Sequence, residues 1–549
     1  MNTSKTSQTD EQPSSSARSI AKSTGMMSAL ILVSRITGFI RTWAMAFALG
    51  NTFLAASYSL ANNLPNMIYE LVAGGVLSTA FLPIYMQQRN AHSREAANDY
   101  VSNLLSIAVV FLGLVSLAAS IFAPQVMITQ SLFSSASNDT VEAAVWFFRF
   151  FAFQIVFYGL SAIFSGVLNA ERRYFWPSVS SVFMNIITIV TFFGYPLVNG
   201  MGTGAGITWL AVGTTLSIAV LAFVQVPALM KSGYRFRFFI DLHGEGLRDT
   251  VKLALPAIAC TAINLVSLSF MNSTALHVAD NGPSSVSYAW MWYQFPYGVL
   301  GVALSTAMFT EMSDAMSRGD YDRFKRQLNF GLRTTWLLII PMAVMVFVCA
   351  AQLIGLYSAG RFTAQDIAPI ANLLRGWAIA LPLYAGYMFL YRAYSSLKDL
   401  KTIALCNLFL TIVQVFLYML LTGVITLPGL PTLALGLIGI PCGDIVFYAL
   451  MMVLLLLVLR RRIGGFEFKS TLVATCKVLV ASVIGGAASA ALIAALGLVL
   501  DLQTIGGSLV ALVVAGGIGL ALIFALCRVL GITEVATMAR RIAEKVRRR

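Results

Sequence analysis

Residues 26–49 read MMSALILVSRITGFIRTWAMAFAL, an apolar run broken only by Arg35 and Arg41 among charged residues. A hydrocarbon layer of about 30 Å is crossed by around 20 helical residues, so the run has the length of a membrane span. The two arginines set it apart from the uninterrupted core of a cleavable signal peptide. A cation at the bilayer centre costs roughly 2.5–3.5 kcal/mol on insertion scales. Each must therefore snorkel to an interface, find a partner, or face a wet cavity. Along a helix the pair lie about 9 Å apart and point roughly 120° away from one another. They can flank a broad cavity but cannot form one tight fork.

The whole chain follows this pattern. Of 549 residues, 58% are hydrophobic and 11% charged, against roughly 45–50% and about 25% in ordinary soluble domains. Lipid must be the solvent for most of it. About fourteen runs meet the length criterion, with cores near 26–49, 57–86, 100–123, 141–168, 177–199, 206–230, 251–278, 285–312, 333–358, 367–395, 402–423, 433–459, 471–499 and 506–530. The net charge of +14 is spread over short loops rather than gathered on one face, which argues against nucleic acid. Loops after even-numbered runs hold Arg89 and Arg94, Arg172 and Arg173, Lys231 to Arg248, Arg318 to Arg326, Lys398 and Lys401, and Arg460 to Lys469. Loops after odd-numbered runs hold almost none, Arg361 being the exception. Positive loops stay in the cytoplasm, so both termini are expected inside.

The expected fold is thus all-α and polytopic. A disordered cytoplasmic tail (1–24) precedes two six-helix lobes (25–230 and 231–460), two extra helices (461–530) and a basic cytoplasmic tail (531–549). Val76 to Ala80 resembles Ala303 to Ala307, each after a proline (Pro65 or Pro296), a hint of internal duplication. Two parallel lobes are what a rocking transporter needs.

Arginine suits a phosphate-bearing substrate, because its planar fork donates two hydrogen bonds and keeps its charge. Asn62-Asn63-Leu64-Pro65-Asn66 places a proline and three amides inside the second run. The proline frees a backbone carbonyl that a cavity or a neighbouring helix must satisfy. An ordinary packing kink and direct substrate contact are equally open readings. Glu70 is open to three roles: orienting an arginine, carrying a proton, or neutralising a neighbour. The salt bridge is preferred, since one buried carboxylate is weak evidence of coupling. Arg149 and Arg392 are read as snorkelling near helix ends, and Asp444 and Arg375 as a buried pair or a lobe contact. The six cysteines have no close pairs, which leaves no disulfide framework or zinc site. His92, His243 and His277 are too far apart in sequence to suggest a ligand set. With no glycine-rich phosphate loop, no HExxH and no nucleophile elbow, the chain is read as a transporter, not an enzyme or an ATP-driven pump.

Several segments resemble one family, the MurJ/MviN lipid II flippases of the MOP exporter superfamily. They are Ser34-Arg35-Ile36-Thr37-Gly38-Phe39-Ile40-Arg41; Leu64-Pro65-Asn66 followed by Gly74 to Pro83; Leu168-Asn169 through Arg173-Tyr174 and Pro177; Phe295-Pro296-Tyr297-Gly298-Val299-Leu300-Gly301; Leu356 to Thr363; and Tyr394 to Thr402. The resemblance implies fourteen helices around a cationic cavity. It also implies alternating access that carries undecaprenyl-pyrophosphate-linked peptidoglycan precursor to the outer leaflet of the bacterial cytoplasmic membrane. Arg35 and Arg41 then match arginines that recognise the pyrophosphate headgroup. Asn63, Pro65, Asn66, Glu70 and Ser78 are candidate cavity-lining or helix-break positions. The last two helices would hold the polyprenyl tail. No cofactor is expected, family analogy pointing to sodium or the membrane potential for energy. Cell-wall synthesis or division proteins are candidate partners. The sequence departs from the family pattern at Tyr69 or Glu70 and near Met291, where arginines are usual, at Thr42, usually acidic, and near Ala56, usually aspartate. The competing readings are a related exporter of another lipid-linked oligosaccharide or a drug, and a non-transporting cell-wall scaffold whose basic end binds anionic lipid.

Overall fold

A computed structural model describes residues 15–69, 81–91, 93–134, 138–202, 204–242, 245–426, 428, 434–465 and 468–532. Glu70, Ser78, the Val76 to Ala80 half of the proposed repeat and the basic tail beyond Ile532 lie outside the described residues. Within them every regular element is helical, and helix covers part of each of the fourteen apolar runs. Among the described residues, nine helices are long and apolar enough to cross a membrane singly. A tenth span arises if Asp139–Phe151 and Gln154–Ala170, bent by 42° at their junction, count as one. The first helix runs Ser15–Leu49 and so reaches back into the segment read as a disordered tail (1–24). Ala17, Arg18, Ala21 and Lys22 are good helix formers, and no proline follows Pro13 there.

Local chemistry sets the helix starts. Ser93 accepts from the Ala96 amide, Asp320 from Arg323 and Asp399 from Thr402, each occupying one of the four orphan donors of a helix start. Thr363 and Asp366 form a reciprocal capping box ahead of the Ala364–Ser396 helix. Pro296 is followed by a π-helical turn, Tyr297–Gly301, that interrupts Gly282–Ser317.

Packing follows the order of the chain. The first helix lies along Phe175–Asn199, where Ser34 and Ser181 share a 2.8 Å hydrogen bond. Asn185 donates to the Ser34 carbonyl (3.2 Å) and the Thr37 hydroxyl (3.0 Å). In the second half, Tyr321–Val348 and Ala364–Ser396 are central: 67% of the apolar window of each is buried inside the protein. The last helices, Phe468–Leu496 and Ile505–Val529 (the second with an internal π-helical turn), pack closely on each other. A Cβ at Gly485 would meet the Ile523 side chain at 2.4 Å and the Gly519 carbonyl at 3.0 Å, the close approach that small residues permit between membrane helices.

The loops sort into two groups by what they touch. Those after even-numbered runs join one another: Arg89 pairs with Glu171 at 2.7 Å, Arg94 reaches the Ser232 carbonyl, and Arg462 pairs with Asp399. Burial opposes ionisation of Asp399, but the Thr402 hydrogen bonds and Arg462 outweigh it and hold the carboxyl below its ordinary range. Loops and helix ends after odd-numbered runs also meet one another. Asn51 bonds to Ser284 and Ser285, and Asn281 and Tyr288 donate to the Asn51 and Gly50 carbonyls. The Arg361 amide donates to the Phe47 carbonyl at 3.0 Å, and Gln130 bonds to Ser269 and Asn272.

Candidate functional site

The Phe53–Tyr69 helix supplies one wall of a polar cavity. Tyr58, Ser59, Asn62, Asn63 and Asn66 recur at helical spacing and line it, as residues three and four apart share a helix face. Pro65, buried in the same helix, is absent from the lining. Tyr58 is fixed by a 3.0 Å hydrogen bond shared with Thr214 and by edge contacts with Phe147, Phe151 and Phe192. The first helix adds Arg41, Thr42 and Met45, and Phe175–Asn199 adds Thr188. From the second half come Leu268, Met271 and Asn272, together with Ser287, Trp290 and Met291. The space enclosed is about 370 Å³ and lies between the two halves.

Its electrostatics are simple. Among the described lining residues Arg41 is the one charged side chain, and it forms no ion pair with another described residue. Thr42 and Met291, two positions where the sequence lacks a charge usual in the resembled family, face this same cavity. Two of the four departures thus lie on this one surface, which leaves the guanidinium of Arg41 as its cation.

Arg35 stands elsewhere. It lies in a separate pocket of about 380 Å³ with Ser34, Pro177, Ser178 and Ser181. Its guanidinium also lies against Gly298 in the π-helical turn, where a Cβ would come within 2.5 Å of Nη1. The Arg35 Nε is buried without a hydrogen-bond partner among the described residues. The pair therefore line two separate pockets, an arrangement their angular offset permits without requiring it.

Asp444 is not paired with Arg375. Its carboxylate, 3% exposed, accepts from Trp377 Nε1 and Gln414 Nε2 at 2.7 Å each and from the Tyr418 hydroxyl. Arg375 instead donates to Asn372. Trp377 packs edge-on against the cavity residue Trp290, with ring centroids 5.1 Å apart, so the buried carboxylate supports the cavity wall from behind. No group of three or more His, Cys, Asp or Glu side chains suited to a metal occurs among the described residues.

The family model described as "Lipid II flippase MurJ" matches residues 45–512. The chain belongs to the MurJ family. MurJ relatives include a probable lipid II flippase MurJ of Rhizobium meliloti, 26% identical over 395 residues, covering 70% of this chain and 72% of the relative. The lipid II flippase MurJ of Burkholderia cenocepacia is 27% identical over 384 residues, covering 68% and 73%. Among solved structures, a lipid II flippase MurJ in an inward closed conformation superposes with TM-score 0.74 at 20% identity, covering 92% of this chain and 99% of that one. An inward-facing multidrug resistance MATE family transporter of the MOP superfamily gives TM-score 0.67 at 15% identity, covering 80% and 98%. At these identities the structures establish the shared fold. MurJ membership makes the chain a multi-pass bacterial membrane protein that flips lipid II, the lipid-linked precursor of peptidoglycan, and a transporter rather than an enzyme.

Sequence reading did not find Thr188, Thr214, Ser217 or Asn272. Each is a small polar residue of ordinary appearance in an apolar helix. The signal available was the stripe Tyr58, Ser59, Asn62, Asn63 and Asn66, polar at helical spacing inside a span.

Proposed function

We propose that translocation proceeds by alternating access of two six-helix halves in the cytoplasmic (inner) membrane, with fourteen crossings and both termini inside. The grouping of loops supports this topology: cation-bearing loops contact one another, and cation-poor loops contact one another. Fourteen alternating crossings, an even number, return the chain to the side from which it started. Arg41 binds the pyrophosphate of the undecaprenyl-linked precursor within the cavity, with Asn63 and Asn66 on the same wall, while Arg35 engages it in the separate pocket beside Pro177. Phe468–Leu496 and Ile505–Val529 hold the polyprenyl tail. A sodium gradient or the membrane potential drives the cycle, and no resident cofactor takes part.

The observation that carries this reading is a polar cavity between the halves whose described lining has one cation and no carboxylate. A fork of N–H donors in a water-poor space suits phosphate oxygens, whereas a cationic drug would call for a carboxylate there. Complementation of a flippase-depleted bacterium, with lipid II translocation measured alongside, tests it. The intact chain restores both, and Arg41→Ala abolishes both at normal protein level. Full activity of Arg41→Ala would remove the cavity from the mechanism.

A further inference from the structure

Between the Val226–Lys231 and Glu245–Val278 helices, residues 234–242 read YRFRFFIDL and form no helix. They are held against the side of the Arg94–Ile121 helix. The amides of Arg237 and Phe239 donate to Ser102 Oγ and Ser106 Oγ, at 3.3 Å each. The Asp241 amide and carbonyl exchange 2.8 Å bonds with the Asn103 side chain. Every second amide thus faces the helix, the pattern of an extended chain, and the side chains alternate between two faces. Phe236, Phe238, Ile240 and Leu242 make one face, each between 47% and 65% exposed. Arg235, Arg237 and Asp241 lie on the other, with Phe239 half-buried among them.

The level of this segment follows from the helix it lies on. Asp99 is exposed near the helix start, after Arg94 and Glu95, and Val109 begins an exposed apolar surface that runs on to Ile121. An exposed carboxylate belongs in water and an exposed apolar stripe in lipid. The hydrocarbon edge therefore falls between Asp99 and Val109, about 15 Å apart along the axis. Ser102, Asn103 and Ser106, all buried and all bonded to the segment, lie inside that interval. The backbone places it at the same level. The amides of Phe236, Phe238 and Ile240 find no acceptor among the described residues, which hydrocarbon does not tolerate but headgroups and their water do.

We propose that residues 234–242 are an interfacial strap whose partner is anionic phospholipid, phosphatidylglycerol in type. The apolar face enters the headgroup-proximal part of the acyl layer, while Arg235 and Arg237 donate to lipid phosphates. Charge selects the anionic lipid over a zwitterionic one. Arg235 and Arg237 are exposed and form no ion pair with a described residue. Arg94 reaches the Ser232 carbonyl and Arg173 the Lys231 carbonyl, so three further cations gather where the strap begins. Asp99 and Asp241 offset part of this charge. The strap carries the chain from its first half to its second, and lipid fixes that passage at the membrane surface.

The inference borrows from the proposed function only that the Arg94–Ile121 helix crosses the membrane. Its test reads accessibility and lipid, not transport. Spin labels are placed singly along the strap of the full-length chain, its six native cysteines replaced, in nanodiscs of phosphatidylglycerol and phosphatidylcholine. Power saturation compares oxygen, which collects in lipid, with a water-soluble nickel chelate. Labels on Phe236→Cys, Phe238→Cys and Ile240→Cys favour oxygen, and those on Arg235→Cys and Arg237→Cys favour the chelate. Even-numbered labels open to the chelate place the strap in water, and shielding from both reagents means that protein covers it; either result overturns the proposal. If the cysteine-free chain fails to accumulate, native mass spectrometry of the natural chain still decides. Offered both lipids equally, wild type retains phosphatidylglycerol over phosphatidylcholine, and Arg235→Gln with Arg237→Gln lowers that ratio by up to about fivefold per charge. An unchanged ratio overturns the anionic partner. A chain that passes both tests but does not flip lipid II refutes the proposed function alone.

Discussion

Asn51→Ala tests whether the contact between the first helix and the Gly282–Pro296 helix is a separable gate. The Asn51 side chain, 8% exposed, donates to Ser285 Oγ at 3.1 Å and accepts from Ser284 Oγ at 2.6 Å and Ser285 Oγ at 3.2 Å. Both serine hydroxyls also have the Asn281 carbonyl within reach, at 2.8 and 3.1 Å. Truncation therefore strands no hydroxyl, and the loss is the net value of the bonds removed. At about 0.5–1.5 kcal/mol per hydrogen bond, with both hydroxyls shared between acceptors, the total is about 2 kcal/mol. If the bonds form only when this end is closed, the closed-to-open ratio falls roughly 25-fold. Hydrogen exchange of the protein in lipid nanodiscs measures this. Amides at 46–52 and 281–288 exchange faster, while those in the central Ala364–Ser396 helix keep their protection. Unchanged exchange at 46–52 would refute the gate, and so would uniform acceleration across the chain, which marks an ordinary packing contact.

Gly360→Ala strikes the same end by another route. Gly360 has φ +62°, and a Cβ there would meet the Phe47 carbonyl oxygen at 2.3 Å. Left-handed strain of about 1–2 kcal/mol adds to a backbone clash, so thermal unfolding should fall by several degrees, and an unchanged midpoint would contradict the packing. Asp444→Ala leaves the Trp377, Gln414 and Tyr418 donors without their shared acceptor. At about 1–3 kcal/mol per stranded group it should be severely destabilising, whereas Asp444→Asn retains one acceptor oxygen and should be milder by thermal melt. Asp399 carries a pH dependence. Because its folded carboxyl lies below the ordinary range, its contribution is present above the unfolded-state pKa and is lost as pH falls through the folded one. Asp399→Asn should therefore melt below wild type at neutral pH, with the gap closing in acid. A gap that widens in acid would reverse the assignment.

What the sequence makes legible here is whatever rests on local chemistry. Run length depends on bilayer thickness and loop charge on the membrane interface, so both can be read one segment at a time. The capping serines and aspartates are legible for the same reason. The first-helix signature also yields geometry, since a six-residue offset already forbids Arg35 and Arg41 from sharing one fork. The choice of pocket is another matter. Arg41 reaches the central cavity because Phe53–Tyr69 and Gly282–Pro296 close around it, and Arg35 reaches Gly298 because a π-helical turn follows Pro296. Both are consequences of pairing helices far apart in the chain. Asp444 shows the limit most sharply. A carboxylate in an apolar run invites a search for a cation, and Arg375 was the sequence candidate. The fold instead surrounds it with neutral donors from two other helices, Trp377, Gln414 and Tyr418. Charge alone does not name a partner in lipid, because several aligned dipoles can replace one ion. The same substitution bears on the cavity, where the arginine usual near Met291 is missing while Asn62, Asn63, Asn66 and Asn272 crowd the wall. If amide donors take over part of the missing charge, Asn63→Ala should weaken lipid II translocation far more than a neutral wall residue warrants. It should weaken it further in combination with Arg41→Lys, which keeps the charge and loses the fork. Simple additivity of the two, measured as translocation rates at matched protein level, would show that the amides do not share the headgroup with Arg41.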